Sequence, residues 1–97
     1  MNAYTVSGTL GKDPQLITTD QGKAVSRFSI WVRTGHDDGY WLCCVAFNEM
    51  ARRAASYCQG QKIWCVGPII PRRWTDSNGI NREQLQLTCN TLEGGKE

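Results

Sequence analysis

The chain has 97 residues, 40% of them hydrophobic and 21% charged, enough for one folded domain and too few for two. A formal charge of +2 and a pI near 8.3 permit a polyanionic partner without demanding one, so where the charges sit matters more than their sum. No apolar run approaches the roughly 20 residues that cross a bilayer, and the opening MNAYTVSGTL lacks the basic-then-apolar pattern of a signal peptide, so a cytoplasmic protein with no membrane partner is expected.

Five stretches read as strands, taken in chain order. In the first, Tyr4, Val6 and Leu10 share one phase, with Gly8 between them. The second, AVSRFSIWVR, alternates Phe28, Ile30 and Val32 with Arg27, Ser29, Trp31 and Arg33. YWLCCVAF sets Leu42, Cys44 and Ala46 against Trp41, Cys43, Val45 and Phe47. KIWCVGPI sets Ile63, Cys65 and Ile69 against Lys62, Trp64 and Val66. EQLQLTC alternates Leu85, Leu87 and Cys89 with Gln84, Gln86 and Thr88. Asp, Gly and Pro clusters mark the turns, and Asn78-Gly79 predicts a tight hairpin between extended arms.

Only NEMARRAASYCQG has a helical period. The spacing predicts a helix over residues 49–58, capped by Asn48 and ended by Gly60, with Met50, Ala54, Tyr57 and Cys58 as its apolar stripe and Arg52, Arg53 and Ser56 facing water. Three strands, a helix and two strands is the order of an OB-fold: an all-β, five-stranded Greek-key barrel with one α-helix between strands 3 and 4. One such domain is expected over residues 1–92, with a short flexible C-terminus over 93–97.

The five cysteines include no C-x-x-C pair, and the only histidine is His36, so zinc-ligand spacing is missing. They are expected to be small buried apolar groups in a reducing compartment, with no metal and no cofactor. His36, Asp37 and Asp38 in GHDDG offer the best case for a metal-dependent nuclease. Asp and Gly belong in turns on conformational grounds, however, and no nucleophile is paired with a base. No catalytic residue is expected.

In several strands the phase opposite the small apolar residues carries large aromatics and cations: Trp31 with Arg27 and Arg33, Trp41 with Phe47, and Trp64 with Lys62. The hairpin adds Trp74 with Arg72 and Arg73. Any one tryptophan is most simply core or interface, and Trp64 is read that way. Four in so small a chain exceed the needs of one core. Flat aromatic faces that stack unpaired bases, beside cations that track phosphates, are what single-stranded nucleic acid requires.

The elements VSGTLGKDPQL, GKAVSRFSIWV, YWLCCVAFNEMARRAASY, VGPI and RRWTDSNGINR, in this order and spacing, resemble the bacterial single-stranded DNA-binding proteins from about Asn2 to Asn90. The resemblance implies that Trp41, Phe47 and Trp74 stack on bases and that Lys12, Arg72 and Arg73 contact phosphates. Trp31, Arg33 and Lys62 complete the expected set. It further implies a nucleoid-associated protein without enzymatic activity. Such a protein works as a homo-oligomer, dimer or tetramer, coating single-stranded DNA in replication, recombination or repair, with replication proteins as further partners.

The sequence also departs from the family pattern. It stops at LEGGKE where family members continue into a long tail with an acidic tip, so a short tailless form is expected. TGHDDGY is a shortened loop without the aromatic often found there, and Glu83 stands where an aromatic is common. The alternative reading is a primosomal replication-type protein acting mainly through protein partners.

Overall fold

The computed structural model describes residues 2–95. Side-chain alternation decides the long strands. Along β3 (Ala24–Arg33), Ala24, Ser26, Phe28 and Ile30 are buried while Arg27 and Arg33 are exposed. β4 (Gly39–Phe47) buries Leu42, Cys44 and Ala46 in the same way. β1 (Tyr4–Leu10) and β5 (Lys62–Gly67) complete the core layer with Leu10, Ile63 and Cys65.

Among the described residues there are eight strands where five were expected. β2 (Gln15–Thr18) pairs with the start of β3. Pro68 divides the expected fourth strand into β5 and β6 (Ile69–Thr75). β7 (Asn81–Thr88) is followed by β8 (Thr91–Gly94). The sheet runs β6-β7-β4-β3-β1-β5-β8, with β7 parallel to β4 and the other neighbours antiparallel. The end of β7 curls back onto the β5–β6 junction, where the Thr88 and Asn90 N–H groups donate to the Pro68 and Val66 carbonyls at 2.9 and 2.8 Å. This is the expected Greek-key barrel, its helix falling between the third and fourth long strands.

The C-terminal expectation needs correction. Glu93 and Gly94 are ladder partners of Trp64 and Ile63, and the Gly95 N–H donates to the Lys62 carbonyl at 2.7 Å. Leu92, fully buried, anchors that strand. The rest of the stretch expected to be flexible, residues 96 and 97, lies outside the described residues.

The helix is shorter than predicted. α1 (Glu49–Ala55) closes one end of the barrel with Ala51 and Ala54, both buried and small enough for close approach. Cys58, placed on the apolar stripe from the sequence, is exposed in the turn that follows. Asn48 makes no side-chain cap. It holds φ of 54°, a conformation asparagine tolerates better than most residues, and its N–H donates to the Ala24 carbonyl at 2.8 Å. Arg53 ties α1 to β8, its guanidinium donating to the Leu92 carbonyl at 3.1 Å.

Candidate nucleic-acid interface

Residues directly opposite one another on neighbouring strands share a face. The β3–β4 register places Trp31 beside Trp41, Ser29 beside Cys43, Arg27 beside Val45 and Val25 beside Phe47 on one face, of which Val45 alone is buried. β7 continues that face with Gln86 beside Cys43, and β6 with Arg72 opposite Gln84 and Trp74 opposite Arg82. On the other side, Thr9 lies next to Trp31, Lys62 opposite Thr9 and Trp64 opposite Ser7. All four tryptophans and Phe47 therefore lie on one face of one continuous sheet.

At the centre of this face is a groove of about 540 Å³ whose lining includes Lys12, Arg27, Ser29, Trp41, Arg72, Gln84 and Gln86. Trp41 is 58% exposed, an arrangement that leaves an indole free to stack rather than to pack. Its ring meets Trp31 edge-on, with centroids 5.2 Å apart and planes at 64°. Two glycines seat the pair. A Cβ on Gly11 would come within 2.7 Å of the Trp41 ring, and one on Gly39 within 2.6 Å of the Trp31 ring. Both indoles are thus held by backbone that only glycine lets come so close.

Arg72 links the groove to the hairpin, because its guanidinium also lies over the Trp74 ring, 4.6 Å from the centroid. Among the described residues Lys12, Arg27, Arg33, Lys62 and Arg72 enter no salt bridge, so their charges are available to an anion. Asp13 also lines the groove, but its carboxylate is occupied by the Gln59 N–H at 2.6 Å.

Three expected site residues lie apart from this centre. Phe47, 46% exposed, shares the face but sits six residues from Trp41 along β4, about 20 Å away. Arg33 and Lys62 line a second depression with Trp31 and Trp64. Trp64 is 42% exposed, which rules out the core half of its core-or-interface reading.

Arg73 is placed differently from Arg72. It projects from the opposite side of the β6–β7 ribbon and is paired with Glu83 at 2.9 Å. Glu83 beside it holds the Arg73 guanidinium above its ordinary pKa.

The hairpin expected around Asn78-Gly79 joins β6 to β7. Asp76 and Ile80 close it through the Asp76 N–H to Ile80 carbonyl bond at 3.0 Å, leaving Ser77, Asn78 and Gly79 as a three-residue loop with Gly79 at φ 78°. The Asp76 carboxylate organises this loop. It accepts from the Asn78 and Ile80 N–H groups and from the Arg82 guanidinium at 2.9–3.0 Å. Arg82, then the Ile80 and Asn78 amides, hold its pKa below the ordinary carboxylate value. The acidic loop at residues 34–38 closes as a turn, with the Thr34 N–H donating to the Asp38 carbonyl at 2.9 Å.

The groove also contains residues that the sequence reading left out of the site: Arg27, Ser29, Gln84 and Gln86. The signal was present. Gln84 and Gln86 alternate with Leu87 on β7, and Arg27 and Ser29 share the phase of Trp31.

Comparison with known proteins bears on the fold and the family. The model of the single-strand binding protein family matches residues 1–94. The single-stranded DNA-binding proteins of Thermus thermophilus and Thermus aquaticus are 30% and 31% identical over 97 and 98 residues, covering 96% of this chain. The chain spans only 37% of the length of each. Crystal structures of the Thermus aquaticus single-stranded DNA binding protein, a deletion mutant and the wild type, superpose over the whole chain. Their TM-scores are 0.84 and 0.83, at 26% and 25% identity and covering 42% and 41% of those chains. The barrel is therefore an OB-fold.

Proposed function

The chain belongs to the single-strand binding protein family, and from that membership we propose that it binds and coats single-stranded DNA without strong sequence preference. The observation that carries this reading is the gathering of Trp31, Trp41, Trp74 and Phe47 on one sheet face with five cations that enter no salt bridge among the described residues. Trp41 and Trp74 stack on bases, Trp31 props Trp41 and presents its own edge, and Phe47 extends the track. Lys12, Arg27 and Arg72 meet phosphates at the groove, and Arg33 and Lys62 do so at the second depression beside Trp31 and Trp64. The Gln84 and Gln86 amides and the Ser29 hydroxyl offer hydrogen bonds to base edges or sugars. Arg73, committed to Glu83, contributes least. The work so done is protection of exposed strands during replication, recombination or repair at the nucleoid, in the cytoplasm.

The same reading gives binding without a bond-breaking step and a homo-oligomeric assembly. From Tyr4 to Ser7, β1 pairs only with β5 among the described residues, and residues 2–10 carry no charge to discourage pairing. A second copy adding its own β1 there would form an isologous contact, with Trp64 on the adjoining face. No helix of the structure is long and apolar enough to cross a membrane.

The test is titration of tryptophan fluorescence with a single-stranded oligonucleotide and with a duplex of equal length. Strong quenching by the single strand and little by the duplex is expected, since a duplex hides its base faces. Equal affinity for the two would sink the stacking account, and metal-dependent cleavage of the strand would restore the nuclease reading.

A further inference from the structure

Cysteines far apart in the chain meet in the core. The Sγ atoms of Cys44, Cys65 and Cys89 all lie within 4.8 Å of one another. They come from three separate places, β4, β5 and the turn after β7, and none is more than 4% exposed. All three are free thiols. We propose that this triad is a three-sulfur site for a soft monovalent cation, Cu(I).

Geometry comes first. Metal–thiolate bonds of about 2.3 Å place the three sulfurs of a planar trigonal site about 4 Å apart, a spacing compatible with sulfurs that all lie within 4.8 Å of one another. The donor set points the same way. No His, Asp or Glu joins the cluster among the described residues. Zn(II) in structural sites wants four ligands, whereas soft sulfur donors select Cu(I).

The surroundings add a third reason. The triad belongs to one apolar cluster with Leu10, Ile30, Leu42, Ile63 and Leu92, which keeps out water and the hard cations that need oxygen. A buried charge is costly, so a monovalent ion is favoured. Cu(I) held by one thiolate and two thiols makes a neutral site and releases one proton to solvent. Because the sulfurs are sealed in, the ion enters as the barrel folds or opens. The competing account is that the thiols are merely small apolar filler, and it requires that no metal be kept.

The experiment uses the full chain carrying Cys43→Ala and Cys58→Ala, which leaves only the three core thiols. It is refolded without oxygen in the presence of Cu(I), then challenged with bathocuproine disulfonate, a Cu(I) chelator. One Cu(I) per chain should resist the chelator, with sulfur-to-metal charge-transfer absorption, a raised melting temperature, and X-ray absorption showing a shell of three sulfurs. Adding Cys65→Ala should abolish retention. Complete transfer of copper to the chelator, or equal retention by the Cys65→Ala protein, overturns the proposal. Should Cys65→Ala fail to refold, the coordination shell of the parent decides: three sulfurs uphold the site, and oxygen, nitrogen or fewer sulfurs refute it.

Discussion

Trp41 and Arg72 show how much one side chain can be asked to do. Trp41 is exposed over more than half its surface, so Trp41→Ala should leave the barrel about as stable while weakening single-strand binding by roughly 1–3 kcal/mol. Gly11→Ala provides a finer probe, because its methyl group would displace the Trp41 ring without removing it. Loss of affinity in that variant, with thermal stability retained, is the expected outcome of paired binding and melting measurements.

The two neighbouring arginines should separate. Arg72→Ala removes a groove cation and should flatten the dependence of log K on log salt by about 0.7 for a single strand. Arg73→Ala should leave the slope nearly unchanged, since its charge is already met by Glu83 on the other side of the ribbon. Alternation along a strand already turns the two to opposite sides; the register adds which of them shares a face with Gln84 and Trp74.

At the scale of the element, the β6–β7 hairpin depends on Asp76. Its folded pKa is depressed, so its contribution is present above the unfolded value near 3.9 and is lost as pH falls through the folded one. Amide exchange at Asn78 and Ile80 should therefore report an intact tip from neutral pH to about 5 and an opened tip in stronger acid. Asp76→Asn should open it at every pH.

Elements differed in how readable they were. β3 alternates cleanly because one face is buried, and period-two burial is what a sequence displays; β4 follows it less strictly, since Val45 is buried as well as Cys44 and Ala46. β2 was invisible for the opposite reason: Gln15 to Thr18 are all exposed, and they are placed chiefly by pairing with β3. β8 buries a single side chain, Leu92, too little to make a pattern. The meeting of Cys44, Cys65 and Cys89 was beyond reach as well, since their approach depends on barrel closure rather than on spacing along the chain.

For the whole molecule, the sheet order joins separate sequence signals into one surface, from Trp74 at the hairpin through Trp41 and Trp31 toward Lys62. Its opposite side is occupied by the core and by α1, whose Arg52 and Arg53 point away from the groove's lining residues. Assembly should use the stretch of β1 from Tyr4 to Ser7, which pairs only with β5 among the described residues. Light scattering at micromolar concentration should report at least a dimer, and replacing Thr5 with Pro, which cannot donate to a new ladder, should favour the monomer. The central claim is that one sheet face binds the strand. The most direct measurement is chemical-shift mapping of backbone amide and indole N–H signals as a single-stranded oligonucleotide is added. The indoles of Trp31, Trp41 and Trp74 and the amides around Arg72, Gln84 and Gln86 should move together, while α1 and β8 stay still. Shifts concentrated on α1 and β8, with the three indoles unmoved, would contradict it.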